Sequence, residues 1–465
     1  MTVTDFTQQA QQTRLVRAGL WLRDHRRTIM TVQWGVVIIY AVLLIGPTLL
    51  PLPPNGAHIW DNLTLLAQFL FWGVWWPGVL ISMLVFGRLW CGIFCPEGAL
   101  SEFAATHGRG RATPRWIRWK GWPFTAFVLT TVYGQLISVY QYPLPVLMIL
   151  GGSTAAAMGI GFMYGRNKRV WCRYLCPVNG VFGLLAKLAP VHYAVDQQQW
   201  NAPRHSAASM EPFTCAPLVA IRTMKGVSAC HMCGRCAGFR DAVELKARRP
   251  DHEVVHVAGE TASIWDSLLI ISGLMGVAIG AFQWSSSPWF VTMKQTVATW
   301  LVRHGVVWPL ERSLPWFVLT NYPERNDVLT LLDGTVLLAY IAAAAVIITV
   351  AVSLPLALAV RMVGRWNARR FHHLCHALIP LAAVGVILGL SSMTVTQLRA
   401  DGFALGWMGP VRFCALAGGV TASCWLLWQI LGCYAGSLRR LTATALASGA
   451  FAAPLCAWWL LFWHW

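Results

Sequence analysis

Residues 65–96 read Leu65-Leu-Ala-Gln68-Phe-Leu-Phe-Trp72-Gly-Val-Trp75-Trp76-Pro77-Gly-Val-Leu-Ile-Ser82-Met-Leu-Val-Phe86-Gly87-Arg88-Leu-Trp90-Cys91-Gly-Ile-Phe-Cys95-Pro96. The part up to Phe86 has no charge and is long enough to cross about 30 Å of hydrocarbon as a helix. Two cysteines four residues apart follow it, closed by a proline. Residues i and i+4 share a helical face, so one turn presents both sulfurs in one direction. Proline disfavours helix at the residue before it, so the turn is expected to end at Cys95.

The same pattern returns 81 residues later, after another apolar run, as Arg169-Val-Trp171-Cys172-Arg-Tyr-Leu-Cys176-Pro177. Arg, Trp, both cysteines and Pro recur in register, which implies two parallel copies of a transmembrane hairpin, each ending in C-x3-C-P. Facing each other, the copies would point four thiolates into one space, suited to an iron–sulfur cluster or zinc. Helix-end thiols or transient redox pairs are the plainer alternative. Arg88 and Arg169 are placed to offset the charge of such a cluster, and Trp90 and Trp171 flank it.

The rest of the 465-residue chain fits a membrane frame. It is 56% hydrophobic against 45–50% in soluble domains, and 12% charged, about half the usual share. That excludes an ordinary soluble enzyme. Apolar runs at about 31–50, 65–86, 121–140, 145–164, 263–283, 329–353, 376–394, 410–431 and 442–463 predict an all-α polytopic protein of nine transmembrane helices. The net charge of +18 would suggest nucleic acid, but the basic residues lie between apolar runs. With a cytoplasmic N-terminus, 30 of the 36 Lys and Arg fall on the inner side, leaving Lys294, Arg303, Arg312, Arg325, Arg399 and Arg412. No nucleic-acid partner is expected; the lipid bilayer is, and a bacterial inner membrane is the predicted location.

The expected organisation is a cytoplasmic tail (1–30), the duplicated hairpins (31–194), a polar ferredoxin-like insert (195–262), a fifth span with an outer loop (263–328) and a four-helix extension (329–465). Trp289, Trp300, Trp308 and Trp316 in that outer loop suit interfacial anchoring or a periplasmic docking surface.

The insert carries Cys230-His-Met-Cys233-Gly-Arg-Cys236. Three thiolates at this spacing let the backbone wrap a corner of a [4Fe–4S] cube; zinc sites more often use two separated C-x2-C pairs. The ferredoxin continuation x3-C-P is absent, since Arg240 and Asp241 stand there. Cys215 is the other cysteine in the insert and is expected to close the site; a three-iron cluster is the alternative. Eight cysteines (91, 95, 172, 176, 215, 230, 233, 236) thus allow two four-thiolate clusters on the reducing side of the membrane, where disulfides are not expected. Cys375, Cys414, Cys424, Cys433 and Cys456 lack ligand spacing and read as packing residues.

At these motifs, over about residues 30–245, the sequence resembles the NapH/NosR/CcoG-type membrane polyferredoxins. The resemblance implies an electron-transfer protein with [4Fe–4S] clusters, no transport pore of its own, and redox partners on both sides. It departs from the type in having one ferredoxin motif rather than two, and in its helical extension. Phe371-His-His-Leu-Cys375-His-Ala-Leu-Ile-Pro380-Leu-Ala-Ala, with Leu388-Gly-Leu-Ser-Ser-Met-Thr394-Val-Thr, is similar to the polyferredoxin component of bacterial periplasmic ferrous-iron uptake systems. That likeness implies a cupredoxin-like periplasmic partner and a separate iron permease. A quinol dehydrogenase feeding a periplasmic reductase, drawing on a quinone pool or a cytoplasmic carrier, and a metal-handling or oxidase-assembly factor are the other readings. No substrate-transforming acid, base or nucleophile is visible, which points to an electron carrier rather than a stand-alone enzyme.

Three further features stand out. His372, His373 and His376 cluster at one end of the seventh predicted span; no other span holds an interior histidine, so haem is not expected. Asp266 and Asp333 lie near span ends, where a carboxylate is a functional candidate or an interfacial residue. Arg412 is the expected ion-pair partner of Asp333.

Overall fold

The computed structural model describes residues 3–54, 56–202 and 214–465, with residues 3–11 by backbone alone. The chain is mostly helical. Among the described residues eight helices are long and apolar enough to cross a membrane: Arg26–Leu49, Leu63–Phe86, Pro143–Tyr164, Ile264–Ser286, Leu331–Val363, Ala368–Ala400, Met408–Gly432 and Ser437–His464. In the most apolar 18 residues of Ile264–Ser286 and of Ala368–Ala400, 72% of positions are buried within the protein, against 22–39% in the other six. The outer helices therefore keep apolar faces bare, as Val346, Ile347, Val350 and Leu354 do along one stripe of Leu331–Val363. Such faces are stable against lipid and not against water.

The expected crossing at 121–140 is where the count differs. Its helix, Trp122–Leu136, has 15 residues, about 22 Å of rise against about 30 Å of hydrocarbon. Beyond it the backbone turns away: Ser138 takes a left-handed conformation, φ 51°. The Leu136 carbonyl accepts from Thr320 N at 2.8 Å instead of continuing a helix.

The chain divides into two compact units. The first comprises residues 1–43, 78–123 and 151–261. In it, β1 (Val191–Val195) pairs antiparallel with β2 (Val243–Ala247), with Tyr193 opposite Leu245. The N-terminal helix α1 (Val3–Asp24) lies against this ribbon: Gly19 faces Leu245 and Tyr193, and Arg23 Nη1 donates to Ala237 O at 3.1 Å. Ala186, Ala189, Val227, Met232, Ala237 and Val243 complete a small core with Tyr193 and Leu245. Beneath it a buried ion pair, Arg248–Glu253, closes at 2.7 Å, and Glu253 also accepts Val227 N at 2.8 Å.

The second unit comprises residues 44–77, 124–150 and 262–465, built around Val277, Ala281, Val336, Leu337, Tyr340 and Ile341. Here both candidate carboxylates cap helices. Asp266 and Asp333 are the third residues of capping boxes opened by Ser263 and Thr330, which satisfies backbone N–H groups that a helix start leaves orphaned. The expected Asp333–Arg412 pair is not formed. Asp333 pairs with Lys294, which the helix Pro288–Arg303 carries to it. Arg412 lies over the Phe462 ring, 4.3 Å from its centroid. The three histidines bond to protein groups: His372 Nδ1 to Ser267 Oγ at 2.8 Å, His373 Nδ1 to Tyr434 OH at 2.7 Å and His376 Nδ1 to the His372 carbonyl at 2.9 Å.

Candidate metal centres

Each C-x3-C-P motif folds alike. Leu89–Ile93 and Val170–Tyr174 form single helical turns, and the amides of both the fourth and the fifth residue after the motif's Trp return to the Trp carbonyl: Phe94 and Cys95 to Trp90 O, Leu175 and Cys176 to Trp171 O, at 2.9–3.0 Å. Proline then ends the turn. In the first copy Cys95 itself caps the next helix, Pro96–Thr106, with Sγ accepting from Gly98 N at 3.4 Å.

The four hairpin cysteines gather in one buried place. Burial pushes the Cys95 thiol well up, and the charges of Cys91 and Cys172 push it further. Cys172 is pushed up to about 12 by burial, with Cys91 opposing its ionisation and Arg169 favouring it. Cys176 is raised by burial and then by Glu97, Cys172, Cys95 and Cys91. Four thiols so placed cannot all ionise unaided, whereas bound metal deprotonates its thiol ligands outright. That donor set fits a thiolate-ligated iron–sulfur cluster.

Both arginines of the repeat are buried ties. Arg88, 3% exposed, donates to Ser228 O at 3.0 Å and Asn179 Oδ1 at 2.7 Å, with Cys91 Sγ at 3.9 Å. Arg169, 1% exposed, donates to Cys91 O at 2.5 Å and pairs with Glu102 at 2.7 Å. Glu102 also takes Arg235, from the insert. Trp171 Nε1 donates to Glu97 Oε2 at 3.2 Å, while Trp90 packs on Phe94 with centroids 5.5 Å apart. Sequence reasoning passed over Glu97 and Glu102. Both lie in the helix that Pro96 starts, five residues apart, and no local signal marks the distant arginine and tryptophan they meet.

Cys215, Cys230, Cys233 and Cys236 line a second small cavity with Tyr193, Met224 and His231. Burial raises Cys230 to about 12 and lifts Cys236 and Cys215 as well. The loop wraps tightly: Met232 (φ 53°) and Gly234 (φ 77°) take left-handed conformations, and Met232 N donates to Cys230 Sγ at 3.4 Å. A side chain at Gly234 would meet Leu22 of α1 at 2.4 Å. His231 is 1% exposed, and neither of its ring nitrogens has a hydrogen-bond partner among the described residues. Burial, then Arg88, Arg169, Arg173 and Arg235, hold its pKa well below the usual histidine range. Among the described residues no three His, Cys, Asp or Glu side chains converge on a single-ion site. The four thiols lining this cavity are the donor set of a thiolate-ligated iron–sulfur cluster.

The two cysteine groups touch. Gly92, inside the first motif, packs so closely on the insert that a Cβ there would lie 2.2 Å from His231 O and 3.0 Å from Cys233 N and Cα. Gln33 Nε2 donates to the Gly92 carbonyl at 3.0 Å and holds it there.

Comparison with known proteins adds two likenesses. A family described as a 4Fe-4S binding domain matches residues 68–115 and 150–192, the two hairpins. The match stops short of the insert. A 235-residue stretch, 43% of the chain, is 21% identical to "Putative electron transport protein YccM" of Escherichia coli (strain K12), covering 62% of that protein. No solved structure matches. Fold, hairpins and the family likeness together support a protein of membrane type holding at least one [4Fe–4S] cluster.

Proposed function

We propose that the chain is a multi-pass protein of the bacterial inner membrane that passes single electrons through two [4Fe–4S] clusters. Cys91, Cys95, Cys172 and Cys176 would hold one, and Cys215, Cys230, Cys233 and Cys236 the other. The observation that carries this reading is the backbone contact of Gly92 with His231 and Cys233, which sets one ligand loop directly against the other. When bound, the clusters supply a one-electron couple each. The chain's own part is to bring the thiolates together, exclude water, and tie the loops through Arg88, Arg169 and Glu102.

The finer assignment is support of periplasmic iron oxidation and uptake, in exchange with a cupredoxin-like protein and beside a separate permease. It rests on the likeness at residues 371–383 and 388–396 stated above. The test is anaerobic EPR with iron and sulfide analysis of the purified protein, beside Cys172→Ser and Cys233→Ser. The expected result is eight iron and eight sulfide per chain, with each variant losing a different signal. Iron-free protein, or one signal lost in both variants, refutes two clusters. Reduction of the oxidised clusters by a quinol, with no electron exchange with a periplasmic copper protein, would move the assignment to a quinol dehydrogenase feeding a periplasmic reductase.

A further inference from the structure

Among the described residues, two buried side chains around the insert cavity have no hydrogen-bond partner. His231 is 1% exposed with both Nδ1 and Nε2 unpaired, and Tyr193 is 3% exposed with its hydroxyl unpaired. Both line the cavity that Cys215, Cys230, Cys233 and Cys236 line. They come from different parts of the chain, the cysteine loop and β1. Folded proteins seldom leave a buried donor unmade, and two around one cavity point to an acceptor that belongs there.

We propose that His231 and Tyr193 donate hydrogen bonds to sulfur of the insert cluster and thereby raise its reduction potential. This rests on the reading that the four cysteines hold a cluster. A neutral imidazole has one N–H to give, and a phenol has one O–H. Reduction adds one electron and makes the cluster more negative; no bond forms or breaks, and both protons stay on their own side chains. Donors aimed at sulfur favour the more negative state, and hydrogen bonds to sulfur are among the determinants of cluster potential. Within a water-free site this effect is larger than at a surface.

The surroundings fit. The His231 carbonyl lies closest to where a Cβ on Gly92 would stand, so the ring hangs from the point where the two ligand loops meet. Tyr193 stands on the ribbon against which α1 packs, and Gly19 of that helix leaves room beside its hydroxyl. The neighbouring arginines do not take these side chains up: Arg88 bonds Ser228 O and Arg169 bonds Cys91 O.

The experiment is an EPR-monitored redox titration of the full-length protein in detergent, reduced with dithionite through mediators. Cys233→Ser identifies which signal belongs to the insert. In His231→Phe the insert signal keeps its intensity, but at fixed potential its reduced-to-oxidised ratio falls about tenfold, a 59 mV shift for a one-electron couple. Tyr193→Phe shifts it the same way. His231→Gln, which keeps an N–H, lies between wild type and His231→Phe. Exchange into heavy water removes a coupled proton from the wild-type insert spectrum, and that coupling is missing in His231→Phe. If His231→Phe fails to assemble, His231→Gln and Tyr193→Phe decide. Wild-type potentials in all variants overturn the proposal. So does loss of the insert signal in His231→Phe with its survival in Cys215→Ser, which would make His231 a ligand. Absence of any insert signal in wild type defeats the cluster reading itself and is seen before any variant is made.

Discussion

A single methyl group at Gly92 forces the two cysteine loops apart. In Gly92→Ala the new Cβ would stand 2.2 Å from His231 O and 3.0 Å from Cys233 N and Cα. Ordinary contact begins near 3.4 Å, so the carbonyl would have to retreat by about 1.2 Å. Overpacking of a close-packed interior costs typically about 1–3 kcal/mol. Here the obstructing atoms are backbone and cannot swing away, so the upper part applies, about 2–3 kcal/mol. For a unit of this size that lowers a thermal midpoint by roughly 4–12 °C. The displaced atoms also carry Cys233, so the insert signal should change shape and any magnetic coupling between the two centres should weaken. The assay is thermal release of iron, followed by absorbance, with EPR before heating. Gly159→Ala, where nothing lies within 4 Å, is the control and should be neutral. Wild-type melting of Gly92→Ala, with both signals and their coupling intact, would refute the claim that the loops touch there.

Further outcomes follow from other contacts. Arg248→Met leaves Glu253 buried without its guanidinium and should cost about 3–5 kcal/mol, seen as earlier loss of the insert signal than of the hairpin signal on heating. Acid should act through Glu102 and Glu253. Burial raises both, but Arg169 and Arg235 hold Glu102 below the usual glutamate value, and Arg248 holds Glu253 there. A depressed folded-state value gives stability that is whole above the unfolded value of about 4.3 and is lost as pH falls through the folded value. Near-ultraviolet circular dichroism of Glu253→Gln should therefore fall less steeply than wild type below about pH 4.3; equal slopes would count against the pair. Asp333→Ala removes a cap and the Lys294 pair and should lower thermal stability by about 1 kcal/mol while leaving both redox potentials unchanged. A changed potential there would restore a functional role to that carboxylate.

Much of the molecule is written in the chain because hydrocarbon tolerates few alternatives to an apolar helix. The runs at 65–86, 145–164 and 410–431 are helices within a few residues of the expected bounds. The run at 121–140 misled because apolarity continues through Ile137 and Val139, while the backbone is already turning at Ser138 to meet Thr320. Nothing local encodes that meeting; it comes from a loop nearly two hundred residues away. The repeated cysteine spacing told which sulfurs share a helical face, and the structure adds which groups lie around them. Glu97, Glu102 and the unpaired His231 ring were out of reach, since their significance depends on burial and on partners from distant segments. Asp333 shows the same limit: Lys294 and Arg412 are equally basic on paper, and only the path of the helix Pro288–Arg303 decides between them.

The packing of α1 on the ribbon and the cysteine loop has a bearing on how the protein is made. Arg23 and its acceptor Ala237 are 214 positions apart, and Gly234 fits against Leu22. A nascent chain therefore carries its leading helix and its first two cysteine pairs, idle, until residue 237 has left the ribosome. Iron delivered earlier would find an unfinished cradle, so loading is expected late in synthesis.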